Sequence, residues 1–444
     1  MKKVIVKTLG CKVNQCESEA IRNALVDAPK GFIAGDGEDA DVVIVNTCTV
    51  TAKAAMQSRQ AVRQAIRSNP GARVVVTGCH AQTAKEELAA IDGIDLIVDN
   101  RNKDRIPALL IGDLPEHDDI SRKPELAESP HATPVVNLPG LPHGRRTRPF
   151  LKIQDGCNAF CTYCIVPHAR GRSRSMPMDQ VLLKVAQLGE MGFREVVLTG
   201  IHIGCYGQDL DPSTSLYQLL CCIRDSGAAD RVRISSIEPA ELKGEIIDLA
   251  RSDRHTAGRL CPHFHIPLQS GDNDILRRMH RPYDRAYFRQ LICKIADQLP
   301  DAAIGLDTLI GFPGETENAF ENTYRLVQSL PVTYLHVFPF SARKGTPAYA
   351  YPGQIAPDII KDRCKRMRRL GARKRIDFNT RFVGSQVTVL VESTRDGSSG
   401  RLKGLTDNYI SVSIDGPDSL MNTIARVRVQ RLTSDGVLQG VITP

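Results

Sequence analysis

Three cysteines stand at close spacing near the middle of the chain: Cys157, Cys161 and Cys164. The spacing C-x3-C-x2-C can fold three thiolates around a cubane iron–sulfur cluster and leave one iron without a protein ligand, because a complete site takes four. Such an open iron can bind a chelating substrate. A structural zinc site is the alternative, but zinc requires four protein ligands, usually in two paired knuckles. The spacing therefore predicts an iron–sulfur site with an open iron.

Three further cysteines are far apart in sequence, yet each follows a short apolar run. Cys11, Cys48 and Cys79 come directly after Leu-Gly, Asn-Thr and Thr-Gly, one step beyond predicted parallel strands. Because the carboxyl ends of parallel strands share one edge of a sheet, the three thiols can converge. An accidental arrangement is the alternative, since buried free cysteines are common. Together with the triplet downstream, the pattern predicts a second three-cysteine cluster.

The elements that must position these cysteines alternate between strand and helix. Apolar runs at 4–6, 42–45, 74–76 and 96–98, separated by helical segments, indicate a parallel sheet covered on both faces. Six more runs suit a partial β/α barrel, whose reactive groups lie at the carboxyl ends of its strands. They lie at 150–153, 195–198, 232–235, 263–268, 303–310 and 335–338.

A strongly basic helix at about 359–378 precedes a third kind of pattern. Short runs at 386–391, 400–405, 409–414 and 424–431 alternate with Gly, Asp and Asn turns, which is typical of a small all-β barrel. We therefore predict an α/β chain with an N-terminal parallel-sheet domain at 1–111 and a Pro-rich linker at 112–149. The barrel core follows at 150–375 and the all-β barrel at 376–444.

The composition and the apolar runs of the chain argue against a secreted or membrane-spanning protein. The chain has 13 cysteines, but a disulfide framework belongs to short secreted chains, and here the cysteines are spread through long helix and strand patterns. The start of the chain looks like a lipoprotein signal ending at Cys11, yet its apolar stretch is too short and Lys7 interrupts it. No run approaches the roughly 18 apolar residues of a membrane span. We expect a cytoplasmic protein with no membrane association, and the net charge of +8 favours a polyanionic partner.

The C-x3-C-x2-C motif is the signature of the radical S-adenosylmethionine (SAM) superfamily, and essentially the whole chain resembles its methylthiotransferase family. Members of that family insert a methylthio group into an unactivated C–H bond of a tRNA adenosine or of a ribosomal protein. The resemblance implies two 4Fe-4S clusters, one on each cysteine triplet, and S-adenosyl-L-methionine as the second cofactor. It also implies tRNA as a partner, a flavodoxin-like or ferredoxin-like electron donor, and a C-terminal barrel of the TRAM type.

The same resemblance implies which residues contact SAM. Tyr163, before the last cysteine of the motif, takes the adenine-side position, and Gly200 ends the second barrel strand, where the superfamily's backbone contacts the methionine amino group. Ser236, Gln269 and Asp307 lie at the ends of the next three strands, where polar groups can hold a zwitterion or a ribose. A turn or cap is the structural alternative for each. No catalytic acid or base is expected, because a radical C–H step needs none.

The segment after Cys11 bears on the substrate. Gly10-Cys11-Lys12-Val13-Asn14-Gln15 resembles the group that acts on N6-threonylcarbamoyladenosine at tRNA position 37, so we expect methylthiolation of C2 of that nucleoside. Lys12, Val13 and Asn14 should then lie beside the auxiliary cluster and face the mouth of the radical barrel, where the target nucleoside enters. The alternatives are isopentenyladenosine or another tRNA adenosine, a ribosomal protein, and an iron–sulfur RNA-binding sensor without catalysis.

Overall fold

The computed structural model describes residues 1–28, 31–35, 39–112, 146–252 and 258–443. The predicted linker at 112–149 lies outside these residues except at its two ends, and the predicted domain boundaries stay predictions. Within the described residues, no helix combines the length and the apolar character needed to cross a membrane.

The N-terminal region is a five-stranded parallel sheet flanked by helices. Its strands run in the order β2-β1-β3-β4-β5, and neighbouring residues of one strand belong to different apolar clusters, such as Val43 and Ile44. The predicted sheet with two covered faces is therefore confirmed. The elements are β1 (Lys3–Thr8), α1 (Lys12–Val26), β2 (Ile33–Ala34), β3 (Val42–Thr47), α2 (Ala52–Ser68), β4 (Arg73–Gly78), α3 (Cys79–Thr83), α4 (Lys85–Ala89), β5 (Leu96–Ile97) and α5 (Ile106–Ile111).

The next region alternates strands with helices. Several of its helices begin at side-chain caps: the oxygens of Ser215, Asp272, Asp284 and Thr316 accept hydrogen bonds from backbone N–H groups of the first turn. The elements are β6 (Phe150–Lys152), β7 (Gln154–Asp155), α6 (Val166–Arg170), β8 (Arg174–Ser175), α7 (Met178–Glu190), β9 (Glu195–Thr199), α8 (Leu216–Ser226), β10 (Arg231–Ile234), α9 (Gly244–Ser252), β11 (Arg259–Leu260), β12 (His263–Gln269), α10 (Asn273–Arg278), α11 (Arg285–Gln298), β13 (Ala303–Ile310), α12 (Glu317–Ser329) and β14 (Tyr334–Pro339).

All six predicted barrel strands are present in this region. They form two parallel sheets, β11-β10-β9-β6 and β12-β13-β14, and a backbone hydrogen bond from Ile237 to His265 links the loop after β10 to β12. The partial β/α barrel is confirmed, with the two-residue strand β11 as an addition. Gly200 and Ser236 lie just beyond β9 and β10 and Gln269 ends β12, whereas Asp307, predicted at a strand end, lies inside β13.

The last region consists of a long helix and a closed barrel. Helix α13 (Pro357–Thr380) is followed by β15 (Gln386–Arg395), β16 (Leu402–Thr406), β17 (Ser411–Asp415), β18 (Ile424–Leu432) and β19 (Leu438–Ile442). The barrel closes in the order β15-β16-β17-β19-β18. Strand β19 was not predicted from the sequence, because Gly440 interrupts its apolar alternation. Gly440 takes the middle inward position, where a side chain would collide with Val427.

Buried charges attach this closed barrel to the core strands. Arg233 on β10 is 1% exposed and donates to both carboxylate oxygens of Glu195, at 2.7 and 3.2 Å. The same guanidinium donates to the backbone carbonyls of Thr406 and Asp407. Breaking a buried pair of this kind costs about 3–5 kcal/mol, because one charge stays behind without compensation.

The chain divides into two compact units. The first contains the described residues up to 112 together with Lys152–Met176 and Ser341–Tyr349, and the second contains 146–151, Pro177–Phe340 and 350–443. The segment that carries Cys157, Cys161 and Cys164 therefore belongs to the same unit as the N-terminal sheet. Both predicted cysteine sites can be described within that one unit.

Candidate metal centres and active site

Three thiols converge at the carboxyl edge of the N-terminal sheet. Cys48 and Cys79 directly follow β3 and β4, and Cys11 lies three residues beyond β1. Since these strands are parallel neighbours, their carboxyl ends meet at one edge. Burial raises the pKa of the Cys48 thiol, and the nearby Cys79 and Cys11 raise it further. The structure thus brings the three predicted residues together, while their role as metal ligands stays a prediction.

Two glycines allow this convergence. Gly10, before Cys11, has φ of +97°, and a Cβ atom there would lie 2.8 Å from the Sγ atom of Cys48. Gly78, before Cys79, has φ of +102° and ψ of −172°, a combination that essentially only glycine adopts. A Cβ atom on Gly78 would overlap the backbone carbonyl of Thr47, the residue before Cys48. The three loops can approach one another only because these positions lack side chains.

Two asparagines fasten the thiol-bearing loops. The side chain of Asn14, 1% exposed, donates to the carbonyls of Leu9 and Thr47, at 2.8 and 3.0 Å, and so joins the loop before Cys11 to the loop before Cys48. Asn100 donates to the Sγ atom of Cys79 at 3.8 Å and to the carbonyl of Ala169 at 2.7 Å. Because Ala169 belongs to α6, Asn100 connects the first cysteine site to the segment after the second.

The second triplet lies on a loop between β7 and α6. The backbone N–H of Cys157 donates to Gly171, which closes the loop at its far end, and the N–H of Cys164 donates to the carbonyl of Cys161 at 2.9 Å. The Sγ atom of Cys157 also accepts a hydrogen bond from the N–H of Ala159 at 3.4 Å. Cys161 is buried, whereas Cys157 and Cys164 are half-buried. Helix α6 then packs against α3, whose first residue is Cys79.

A network of five buried charged side chains connects the two cysteine-bearing segments. Glu17 on α1 accepts hydrogen bonds from Arg170 at 2.9 and 3.2 Å and from Lys152 at 3.0 Å, and it also pairs with Lys103. Asp155 accepts from Arg170 at 2.9 Å and from Lys152 at 3.3 Å. None of the five side chains is more than 6% exposed. We call these five residues the Glu17 network.

Electrostatics keep the Glu17 network ionised. Burial alone would raise the pKa of Glu17, but Arg170, Lys103 and Lys152 hold it well below its ordinary value. Burial would likewise raise the pKa of Asp155, yet Arg170 and Lys152 lower it to about 2. The two carboxylates are therefore charged at neutral pH.

A hydrogen-bonded row of side chains lies on the barrel strands of the second unit. The Oγ atom of Ser236 is 2.6 Å from Nδ1 of His265, and Nε2 of His265 is 2.8 Å from the Oδ1 atom of Asp307. His336 is the residue of β14 directly beside Asp307 in the parallel register, and its Nδ1 atom lies 3.2 Å from the same oxygen. Through His265, the structure brings two predicted SAM contacts, Ser236 and Asp307, into one network.

The pKa of Asp307 reflects these neighbours. Burial would raise the pKa, but the hydrogen bonds from His265 and His336 outweigh burial and lower the pKa to about 2. The carboxylate thus stays charged and accepts N–H donors from both rings. A neutral imidazole has one N–H donor and one acceptor nitrogen. When Nε2 of His265 donates to Asp307, Nδ1 is the nitrogen that accepts a hydrogen bond from the hydroxyl of Ser236.

The remaining predicted SAM contacts are placed as follows. Gly200 directly follows β9, and Gln269 ends β12 at an irregularity in its pairing with β13. Gln269 has φ of +65°, which is uncommon for a residue with a side chain and tends to persist at functional sites. Tyr163 is half-buried and belongs to the first unit. The strained backbone of Gln269 was not visible in the sequence.

The geometry of both triplets suits a cluster better than a zinc ion. A tetrahedral zinc site with 2.3 Å Zn–S bonds needs sulfur atoms roughly 3.8 Å apart. Among the described residues, neither triplet has all three sulfur atoms within 4.8 Å of one another. Neither triplet is therefore closed as tightly as a single zinc ion requires, and two of the three thiols in the N-terminal site are buried.

Two closer donor groups occur on the second unit, and hydrogen bonds or ion pairs explain both. One is the His265, Asp307 and His336 set, and the other consists of His202, Cys205 and Glu241. Nε2 of His202 lies 2.5 Å from a carboxylate oxygen of Glu241, which is too short for two ligands of one zinc ion, whose N and O atoms stand roughly 3.3 Å apart. We assign no ion to either group.

Comparison with known proteins agrees with this geometry. Residues 3–99 match the family described as "Uncharacterized protein family UPF0004", and residues 151–327 match the radical SAM superfamily. The chain is 36% identical over 433 residues to the threonylcarbamoyladenosine tRNA methylthiotransferase MtaB of Bacillus subtilis, covering 97% of this chain and 94% of that protein. The chain belongs to the radical SAM tRNA methylthiotransferase family.

Other members of the methylthiotransferase family are also similar over their whole length. The MtaB protein of Aquifex aeolicus is 36% identical, with 93% of this chain and 97% of that protein covered. The tRNA-2-methylthio-N(6)-dimethylallyladenosine synthase of Clostridium tetani is 31% identical, with 97% and 94% covered. Among solved structures, the radical SAM methyltransferase TsrM of Kitasatospora setae has a TM-score of 0.56 at 15% identity, over 78% of this chain and 77% of that one, which supports the fold.

Two of the three residues expected to face the substrate are internal in this methylthiotransferase. Val13 and Asn14 are each 1% exposed, and the side chain of Asn14 is occupied by the loops that carry Cys11 and Cys48. The expectation that they line the nucleoside entrance is therefore wrong for these two side chains. Lys12, at the start of α1, is half-buried.

The Glu17 network and the position of His336 were not predicted from the sequence. A signal for Glu17 was available, because Asn14, Glu17 and Ile21 lie on one stripe of α1, and two polar residues in a stripe that faces a sheet are unusual. No sequence signal placed His336 beside Asp307, since that contact depends on the register of two parallel strands.

Replacing Gly78 by Ala should destabilise the first unit more than the same change at Gly71. Both glycines have positive φ, but a Cβ atom at Gly71 meets nothing within 4 Å. Gly71→Ala should cost about 1 kcal/mol for the left-handed backbone. Gly78→Ala should exceed that cost by at least about 1 kcal/mol, because the Thr47–Cys48 backbone must move. Urea unfolding of the two variants, followed by circular dichroism, measures the difference, and equal losses would contradict the close approach.

Proposed function

We propose that this enzyme methylthiolates C2 of N6-threonylcarbamoyladenosine at position 37 of tRNA, using two 4Fe-4S clusters. Cys157, Cys161 and Cys164 would hold the cluster that cleaves SAM, and Cys11, Cys48 and Cys79 would hold an auxiliary cluster. The observation that carries the proposal is the presence of two three-thiol sites in one compact unit. Each triplet leaves one position of a four-ligand cluster open.

The link between the two triplets supports their cooperation. Asn100 contacts both the thiol of Cys79 and the backbone of α6, and the Glu17 network joins α1 to the segments on both sides of the Cys157 motif. An enzyme that creates a substrate radical with one cluster and quenches it with sulfur from another must hold the two at a fixed separation. The buried hydrogen bonds and ion pairs provide such rigidity.

The chemistry divides between the cofactors and the chain. When bound, the core cluster and SAM supply a 5'-deoxyadenosyl radical, and a second SAM supplies the methyl group of the product. Ser236, Gln269 and Asp307 would hold the amino, carboxylate or hydroxyl groups of SAM, with Gly200 giving backbone access and Tyr163 packing near the adenine. The ionised Asp307 is a suitable acceptor, because its pKa, despite burial, is lowered to about 2 by the two histidines.

The substrate proposal rests on the comparisons and on the segment Gly10–Gln15. Five relatives named for threonylcarbamoyladenosine are 32–36% identical to the chain, and two named for dimethylallyladenosine are 31% identical. Because Asn14 is buried between the loops that carry Cys11 and Cys48, its role is structural. The segment would then influence substrate choice through the shape of the loop around the proposed auxiliary cluster.

The partners follow from the substrate. A tRNA-modifying enzyme of this kind would act in the cytoplasm and receive electrons from a flavodoxin-like or ferredoxin-like protein. Helix α13 offers a surface for the phosphate backbone. Its exposed cations lie on one side of the helix, whereas Arg363 and Arg366 pair with carboxylates of the core. The exposed set is Lys361, Lys365, Arg368, Arg369, Arg373 and Arg375.

The two cysteine sites should be separable by mutation. Cys161→Ala should abolish the formation of 5'-deoxyadenosine, because the SAM-cleaving cluster is lost. Cys48→Ala should retain part of that activity and lose methylthio transfer. Iron should fall from about eight to about four atoms per chain in each single-site variant. Cys222→Ala, which removes an exposed cysteine on α8, is the control and should change neither. Full methylthio transfer by Cys48→Ala would refute the auxiliary site.

The affinity for tRNA should depend on the exposed cations of α13. Replacing Lys361, Lys365 and Arg369 by Ala should weaken binding and reduce the slope of log affinity against log salt by about 0.7–0.9 per lost phosphate contact. Replacing Lys53, Arg63 and Arg67, three exposed cations of α2, removes the same charge and serves as the control. Filter binding at several salt concentrations provides the slopes. Equal slopes for the two triple variants would show that α13 only packs against the core.

The nucleoside at position 37 is tested with matched tRNAs. Anaerobic reactions of the reconstituted enzyme with otherwise identical tRNAs, bearing threonylcarbamoyladenosine or isopentenyladenosine, should methylthiolate the first in strong preference. A site built to pair a carboxylate and hydrogen-bonding atoms rejects an apolar analogue by a large factor, since its polar groups would stay unmatched. Nucleoside mass spectrometry measures both products. Preference for the isopentenyl form would overturn the substrate assignment and leave the radical chemistry intact.

A further inference from the structure

The Glu17 network carries more positive than negative charge. Lys103 and Lys152 pair with Glu17, and Lys152 also pairs with Asp155, so the two lysines balance the two carboxylates. Arg170 then adds one further positive charge in the interior. Arg174, the other cation near Asp155, lies 3.8 Å away and is one-fifth exposed, so solvent screens it. A buried excess charge is costly unless a group of opposite charge lies nearby.

The excess charge of Arg170 faces the N-terminal thiols. Its guanidinium donates to the side-chain oxygen of Asn14, and that oxygen lies 4.0 Å from the Sγ atom of Cys11. Helix α6, which ends at Arg170, packs against α3, whose first residue is Cys79. The guanidinium is thus oriented between two carboxylates on one side and the cysteine site on the other.

A three-thiolate cluster supplies the opposite charge. In its oxidised form the core of a 4Fe-4S cluster carries two positive charges, so three thiolate ligands give a net charge of one negative. This matches the single excess charge of the Glu17 network. Net charge and hydrogen bonding around a cluster set its reduction potential. A neighbouring cation favours the reduced cluster, which carries one more negative charge.

We propose that Arg170 is the counter-charge of the auxiliary cluster and holds its reduction potential at a more positive value than the thiolates alone would give. The inference rests on the proposed function, in which Cys11, Cys48 and Cys79 hold that cluster. Arg170 acts as a positioning and electrostatic residue, since its guanidinium reaches the site through Asn14. The competing explanation is that Arg170 only neutralises Glu17 and Asp155, in which case its removal would lower stability and leave the potential unchanged.

The test isolates the auxiliary cluster in a chain that carries Cys157→Ala, Cys161→Ala and Cys164→Ala. In this background, Arg170→Gln should reduce the equilibrium constant for one-electron reduction by about tenfold, which corresponds to 59 mV toward negative potential. Arg170→Lys keeps the charge but loses the paired contacts with Glu17, so it should shift the potential less than Arg170→Gln does. The readout is a redox titration monitored by electron paramagnetic resonance, at equal iron content, and it does not depend on methylthio transfer.

Arg172→Gln is the matched control, because Arg172 is an exposed arginine two residues along the same segment. Its potential should equal that of the background. An unchanged potential in Arg170→Gln, with iron retained, would overturn the counter-charge assignment and leave the proposed function standing. If the background chain itself binds no iron, the proposed auxiliary site is wrong, and the assignment of Arg170 falls with it.

A second variant covers the case in which Arg170→Gln fails to fold or to retain iron. Glu17→Gln preserves the shape of the side chain and raises the excess positive charge by one. The potential should then move in the opposite direction, toward positive values. A Glu17→Gln chain with normal iron content and an unshifted potential would overturn the proposal.

Discussion

An ionised carboxylate in the interior of a protein is stable only among cations, and Glu17 imposes that condition on much of this enzyme. One of its partners, Lys103, lies just before α5. The other two, Lys152 and Arg170, lie on the segments that flank the Cys157 motif. Removing one partner from such a cluster leaves a buried charge at a cost of several kcal/mol. The N-terminal sheet and the loop that carries Cys157 are therefore held in a fixed arrangement. The positions of the thiols on both depend on that arrangement.

Much of the fold and both cysteine sites could be predicted because they depend on local pattern. Apolar runs at strand spacing located β1, β3, β4 and the six barrel strands, and the rule that parallel strands end at one edge placed Cys11, Cys48 and Cys79 together. The C-x3-C-x2-C spacing is itself local. In each case the sequence carries the geometric information within a few residues, so no long-range contact had to be known.

The parts that escaped prediction depend on contacts between distant segments. Arg170 and Glu17 are 153 positions apart, and nothing in either neighbourhood indicates the pairing. His336 meets Asp307 through strand register, and β19 closes the last barrel with Gly440 at an inward position, where an apolar side chain was expected. Val13 and Asn14 looked like residues at a substrate entrance because they follow Cys11, yet helix α1 turns both inward.

The long separation within the Glu17 network also has a consequence for biosynthesis. At about 5–20 residues per second, a ribosome needs roughly 8 to 30 seconds to proceed from Glu17 to Arg170. Over that interval the number of cations available to Glu17 rises from none to three, as Lys103, Lys152 and Arg170 are added in turn. The Glu17 network can therefore be completed only after the Cys157 segment has left the ribosome. Folding of the two cysteine-bearing segments is in this way tied to one late docking event rather than to two independent ones.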